Sequence, residues 1–514
     1  MKPAPSPTDS PRSAPAPLDK HAADLVLRSR DNVDFRVRSQ ILSVEAPSVI
    51  HTMLPSLQSN KGHKNAPVLE VDEKSDTLET LLRICYPIRN PSLDDMSLKD
   101  LEAGLLAAVK YDMELPVSMF VSELLRRAED APIAIWALAC KTGQEDLACK
   151  MAERTLALES LACDPAADLA GVTAGQYYRL REFWRLRGKV DKKFRFCEGP
   201  HSNGLVGPVQ PPISLAATQW DLGIRSSDGV VYNVHESVIC MISSELQSKI
   251  KALRPRNESD PLPGQKKKSE NNKKSSKKGA SDDAPLILEL EEDCEVVGIL
   301  LALCYRLRPD VLSTVQPTTL AATIAAARKY CMRSLLPDLQ AEWTTVSREE
   351  PLCSYLAAAA NRWLTDCAAE AAREMLNVQL DGCYDSEMET TPAVRYNRLV
   401  SYYESCRNVA KELLVALPLE PSDAQKTPSD RKCTSRLPPP QAEALWFKET
   451  LQRYAAAADK GPSRVASTCD TIYESATEAE LWCPSCQHLA AKLNHLSRTL
   501  KEVRTKILDV PLFL

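Results

Sequence analysis

The chain has 514 residues, room for about three domains at ~150 residues each. It is 44% hydrophobic and 26% charged, as a folded protein is. Lys and Arg number 64 against 69 Asp and Glu, and this net charge of −5 excludes a globally basic nucleic-acid binder. Only 16 glycines are present, which argues against a protein built on glycine-rich phosphate loops. No apolar run approaches the ~20 residues that span a bilayer, and the N-terminus lacks the apolar stretch of a secretory signal. The expected location is intracellular, cytoplasmic or nuclear.

Residues 1–18 hold six prolines and several serines, so 1–19 is expected to be disordered. Leu25 and Leu27, then Val33, Phe35 and Val37, alternate with polar residues around Asp31-Asn32, the pattern of a β-hairpin. Ile41, Val44, Val49 and Met53 have helical spacing across 40–57. Residues 68–71 read as a short strand. Leu78, Leu81, Leu82 and Cys85 then mark a helix over 76–86, and Leu98, Leu101, Leu105, Ala108 and Val109 another over 97–113. A helical extension opens at Pro132 and closes on Tyr177, Leu180 and Trp184, whose spacing suits packing between helices. Gly and Pro breakers follow over 199–219.

The same order then recurs. Between 24–42 and 221–239, seven of nineteen positions are identical at an offset of 197 residues: Asp24, Leu25, Arg28, Ser29, Asp31, Val33 and Val37. Further along the offset is 219, pairing Cys85-Tyr86 with Cys304-Tyr305, Lys110-Tyr111 with Lys329-Tyr330, and Met113 with Met332. It also pairs Pro132 with Pro351, Arg154 with Arg373, and Arg179-Leu180 with Arg398-Leu399. The change of offset is an insertion between 239 and 287. The run 263–278 holds seven lysines and one glutamate, so 254–283 is expected to be a disordered, solvated loop. Its functional alternative is an import signal or a contact to a nucleic-acid backbone. Without interleaved aromatics the loop does not suit base stacking, and nucleic acid is not an expected partner.

Strand, strand, helix, strand, helix, helix is an α+β order. With these residues it resembles the BTB/POZ domain, twice over. The opening Asp, the hairpin tip and Tyr232-Asn-Val-His235 carry the resemblance in copy two. In copy one Phe35-Arg-Val-Arg38 replaces the His. Tyr86 with Lys110-Tyr111-Asp112-Met113, and Tyr305 with Lys329-Tyr330-Cys331-Met332, match the later part of the pattern. The sequence is similar to fungal BTB-domain proteins, in which helical extensions are frequent. The resemblance implies two small three-stranded sheets with helices, at 20–126 and 218–345. Helical extensions at 127–190 and 346–412, linkers at 191–217 and 413–441, and a C-terminal helical tail over 442–514 complete the layout. It implies protein partners through self-association, intramolecular pairing of the two copies, or a cullin-type ubiquitin ligase. The long helix that usually precedes the domain is absent, and so is a clear cullin-contact motif. The resemblance makes His235 structural.

For chemistry, the chain offers little. Seventeen cysteines are scattered, and Cys85, Cys140, Cys149, Cys304 and Cys331 sit in apolar or helical runs where small buried hydrophobes are expected. Cys483-Pro-Ser-Cys486 could present two thiolates to zinc, with His488, His495, Cys469 or Cys433 as further ligands. It is half a site, and free thiols at a helix start or a redox pair are the alternatives. No catalytic, cofactor or metal residues are assigned. Leu489, Leu493, Leu496, Leu500, Val503 and Ile507 mark an amphipathic helix that docks on the body or pairs with another helix. The function expected is a non-enzymatic interaction scaffold, with a nuclear regulator carrying the Lys-rich loop as the alternative.

Overall fold

Alternating apolar residues build the first sheet. Strands β2 (Leu25–Arg28) and β3 (Val33–Val37) pair antiparallel and turn the side chains of Val33, Phe35 and Val37 into the core. Their turn needs a left-handed residue: Asn32 supplies it at φ 63, and Gly229 at φ 88 takes the same place in the second copy. The Ser29 hydroxyl accepts the Val33 N–H at 3.1 Å and closes the turn. Strand β4 (Val68–Glu70) runs parallel to β2. Helices α1 (Ser39–Glu45), α2 (Ser75–Cys85), α3 (Leu98–Lys110) and α4 (Glu114–Arg126) follow, with Leu78, Leu81, Leu82, Leu101, Leu105 and Ala108 buried.

The computed structural model describes residues 11–19, 23–46, 66–88, 90–161, 168–199, 220–254, 286–307, 312–415, 440–467, 472, 476 and 490–512. Within these the chain is α+β and forms two compact units, Met1–His201 and Ser202–Leu514.

The expected disorder of 1–19 does not hold for its second half. Strand β1 (Arg12–Ser13) runs parallel along β3, so the first sheet has four strands in the order β1-β3-β2-β4 rather than three. The Arg12 and Ala14 N–H groups donate to Asn32 O and Asp34 O at 3.0 Å, and Arg36 N–H donates to Leu18 O at 2.7 Å. Ala14 and Leu18 are buried. Prolines spaced by ordinary residues leave enough donors and acceptors for an edge strand.

In the first extension, Pro132 opens α5 (Pro132–Lys141), followed by α6 (Glu145–Thr155) and α7 (Ala174–Arg185). Thr173 and Gln176 form a capping box at the start of α7. The linker expected from 191 starts later, because residues 191–199 fold back on this unit. The ring of Phe196 meets Phe183 and Phe194 edge-on at 5.3 and 5.2 Å. The Glu145 carboxylate accepts the Phe196 and Cys197 N–H groups at 2.7 and 2.9 Å, and Arg179 Nε donates to Phe196 O at 3.1 Å.

The second unit repeats the order. Strands β5 (Leu222–Arg225), β6 (Val231–Val234) and β7 (Leu286–Glu289) form a three-stranded sheet ordered β6-β5-β7. The single helix expected over 40–57 corresponds here to two, α8 (Glu236–Ile242) and α9 (Ser244–Leu253), broken at extended Ser243. The Ser243 hydroxyl accepts the Leu246 N–H at 3.0 Å and donates to Tyr330 O at 2.6 Å. In the first copy α1 ends at Glu45, and residues 47–57 lie outside the described residues. Helices α10 (Cys294–Tyr305), α11 (Pro317–Lys329) and α12 (Leu336–Glu349) complete the repeat.

The second extension comprises α13 (Pro351–Ala359), α14 (Thr365–Met375) and α15 (Ala393–Val415). Its burial pattern corrects one sequence match. Leu147, Ala148, Met151, Ala152 and Thr155 of α6 correspond to Cys367, Ala368, Ala371, Ala372 and Met375 of α14, an offset of 220. Arg154 therefore stands opposite Glu374, not Arg373. A compensating deletion restores 219 by the next helix, where Tyr177 and Leu180 of α7 match Tyr396 and Leu399 of α15, all buried.

Helix α15 has 23 residues against 12 in α7 and runs past the expected end of the extension at 412. The tail packs on it through α16 (Pro440–Lys460) and α18 (Ala490–Leu508), and α17 (Arg464–Ser467) packs on both of these. Leu493, Leu496, Leu500, Val503 and Ile507 are all buried, as an amphipathic docking helix requires. Lys411 pairs with Asp459 at 2.6 Å, and the Cys406 thiol lies 3.9 Å from Ile507 O.

The two cores have traded volume at one contact. A Cβ on Gly104 of α3 would sit 2.7 Å from Cε1 of Phe120 in α4. At the corresponding places the second unit has Thr323 and Leu339, both fully buried. Gly104→Ala gains up to ~1 kcal/mol of helix propensity. It meets an overpacking cost of ~1–3 kcal/mol, so a net loss of about 1 kcal/mol is expected in thermal unfolding. Adding Phe120→Leu relieves the clash but empties part of the core. The pair should therefore couple favourably in a double-mutant cycle; strict additivity would contradict this reading.

Candidate interaction surface

The residues that recur between the copies make long-range polar contacts within each module. Asp24 accepts the Ser39 N–H at 2.7 Å, at the start of α1, and Asp221 accepts the Glu236 N–H at 2.7 Å, at the start of α8. Asp31 accepts the Ser75 N–H at 2.8 Å and its hydroxyl at 2.6 Å. Burial opposes the ionisation of Asp31, but these bonds overcome it and bring its carboxyl down to about 2. Asp228 stands in the same relation to Cys294, and its carboxyl is likewise held low.

The Tyr86 hydroxyl accepts the Arg38 N–H at 2.8 Å, and the Tyr305 hydroxyl accepts the His235 N–H at 2.8 Å. His235 Nδ1 also lies 3.1 Å from that hydroxyl, so its ring is engaged at the start of α8, where a structural histidine was expected. Lys110 reaches Asp72 and Glu73 at 3.1 and 2.9 Å, while Lys329 reaches Glu291 and Glu292 at 2.8 Å each. Tyr111 donates to Glu73 and Tyr330 to Glu292. Burial and the Glu292 carboxylate push the Tyr330 hydroxyl up to about 12.

Most thiols among the described residues are shielded from solvent. Cys140, Cys294, Cys353, Cys367 and Cys406 are buried, and burial pushes Cys85, Cys304, Cys353 and Cys367 up to about 12. Cys331 departs from the buried-hydrophobe expectation: it is exposed, in a left-handed turn at φ 55. Asp112 holds the same turn in the first unit at φ 58. Among the described residues no group of three or more His, Cys, Asp or Glu is placed to hold a metal ion. Cys433, Cys469, Cys483, Cys486 and His488 lie outside the described residues, as does the Lys-rich stretch from 255 to 285. His495 is on α18, with its Nδ1 3.0 Å from the Arg498 guanidinium.

What remains is apolar surface in matching places. Helix α1 buries Leu42 and turns Val44 outward, contrary to the face expected from Ile41 and Val44. Val44 is 76% exposed, and its counterpart Met241 on α8 is 80% exposed. Val68 and Ile287, on corresponding edge strands, are 40% and 37% exposed. Val44 borders a shallow depression of about 530 Å³ with Glu45, Asp112, Glu114, Leu115 and Ser118. The second unit carries Ile242, Cys331, Arg333, Ser334 and Pro337 at the corresponding positions, so an acidic rim in one copy is matched by an arginine in the other. Spacing alone could not find these positions, because the helix is seven residues long and its burial face is set by the elements that pack on it, α2 among them.

No family model matches the chain, and neither a curated protein nor a solved structure does. No helix among the described residues is long and apolar enough to cross a membrane.

Proposed function

We propose that the chain is a non-enzymatic protein–protein interaction scaffold built on two BTB-like modules, and that it associates with like modules through the apolar positions at Val44 and Met241. The observation that carries this reading is their shared exposure. Two sequences that have diverged at most positions both place a large apolar residue outward at the same point of the same helix. A side chain so exposed adds nothing to its own core, whereas burying it against a like module contributes ~1.5–3 kcal/mol. The polar contacts repeated in both units support the reading by keeping that helix fixed to its sheet.

Sedimentation equilibrium of the full chain over a range of concentrations tests it. Self-association is expected, and Val44→Asp with Met241→Asp should weaken it at least ~10-fold, equivalent to ~1.4 kcal/mol. A chain that stays monomeric throughout, or an association constant unmoved by both changes, would remove the proposal.

A further inference from the structure

Two thiols meet in the first extension. Cys140 is buried near the end of α5, and Cys197 lies on the segment that folds back on this unit. They stand fifty-seven residues apart in the chain, yet their side chains hydrogen-bond one another. The backbone of each is held in place. Gln176 Nε2 donates to Cys140 O at 3.5 Å and to Cys197 O at 3.0 Å, so one nitrogen spans both residues. The Glu145 carboxylate accepts the Cys197 N–H at 2.9 Å, and the Cys197 thiol lies 3.8 Å from Ala139 O. A disulfide forms without distortion only where the backbone already brings two cysteines together, as these contacts do. The second unit has Ala359 where Cys140 stands, and α15 continues as helix to Val415 where the first unit folds back.

We infer that Cys140 and Cys197 are a disulfide-forming pair, oxidised by a peroxide and restored by a thiol reductant. The two differ in access. Cys140 is 5% exposed, and burial pushes its thiol well up, so it does not meet the oxidant first. Cys197 is half-buried and also hydrogen-bonds the Glu145 carboxylate, which is placed to take its proton. The Cys197 sulfur attacks one oxygen of hydrogen peroxide. The O–O bond breaks, and the departing hydroxide leaves as water with the Cys197 proton. The Cys140 sulfur then attacks the Cys197 sulfenic acid, forms the S–S bond and displaces hydroxide, which takes the Cys140 proton as a second water. Two thiols are oxidised and one peroxide is reduced. The bridge ties the folded-back segment covalently to α5. It stands independently of the proposed association.

Peptide mapping of the folded full chain under non-reducing conditions, after treatment with hydrogen peroxide, tests the pair. A Cys140–Cys197 linked peptide is expected, two hydrogens lighter than its parts and lost on adding dithiothreitol. It should form at least ~10-fold faster than any other linkage between described cysteines. Cys197→Ser should abolish it. Cys140→Ala, which copies the second unit, should leave Cys197 as a sulfenic acid that dimedone traps. Exposed Cys331 is the control that oxidant was sufficient. Oxidation of Cys331 with Cys140 and Cys197 still unlinked in the parent chain would overturn the inference. So would a bridge that appears only in urea, or a Cys197 that dimedone never labels in Cys140→Ala.

Discussion

Trp343→Ala is expected to remove about 3–5 kcal/mol from the second unit, as truncation of a fully buried aromatic side chain does. Trp343 lies on α12, is wholly excluded from solvent, and donates its Nε1 proton to Cys367 O of α14 at 3.2 Å. It joins the α+β core to the helical extension, so its loss opens a cavity at the seam between them. The first unit places Leu124 at this position, also fully buried. Trp343→Leu should therefore cost less than Trp343→Ala, though it still leaves part of the cavity. Trp343→Phe keeps most of the ring volume and loses the hydrogen bond, for about 1 kcal/mol. Denaturant unfolding of the full chain gives the ordering. A Trp343→Ala protein within 1 kcal/mol of the parent would mean that α12 is not packed on α14 as described.

Leu500→Asp should release the tail. Leu500 is fully buried on α18, and α18 packs against α15. The change removes apolar burial and leaves an unpaired carboxylate, which costs several kcal/mol unless it reaches water. The cheapest response is for α18 to leave its seat. Limited proteolysis should then cut within residues 490–512 at low protease, while the segment from α13 to α14 stays resistant. Leu500→Ala keeps the site neutral and should show a milder increase. An unchanged digestion pattern in Leu500→Asp would contradict the docking. Gly461 shows how close the tail comes: a Cβ there would lie 2.8 Å from Leu376 O, and the neighbouring Arg464 Nε donates to Asn377 O at 2.7 Å.

Much of this architecture was legible in the sequence because it is periodic or repeated. The hairpins stand on alternation at Val33, Phe35 and Val37. The tail helix stands on Leu493, Leu496, Leu500, Val503 and Ile507, and the duplication on its two offsets. What escaped was set by contacts distant in the chain. Residues 11–18 read as disordered because a two-residue strand has no periodicity, and its partner is β3 rather than itself. The match of Arg154 to Arg373 was a chance identity, exposed by the burial of Met151 against Ala371. The links of Asp31 to Ser75 and of Tyr305 to His235 span 44 and 70 residues, so no local spacing predicts them. Their repetition in both copies was nevertheless a signal that these polar residues matter. The exposure of Val44 was hidden because a short helix carries too few apolar residues to define its own face.

The length of α15 bears on how the protein is made. Cys406, Ala410 and Leu414 lie on the stretch of this helix beyond anything in α7, and all three are buried. Cys406 meets Ile507, a hundred and one residues later in the chain. During synthesis that ridge emerges long before its cover does. The second unit thus completes this packing only once α18 has emerged. A nascent chain stopped at Val415 would carry a greasy flank that invites chaperones or aggregation.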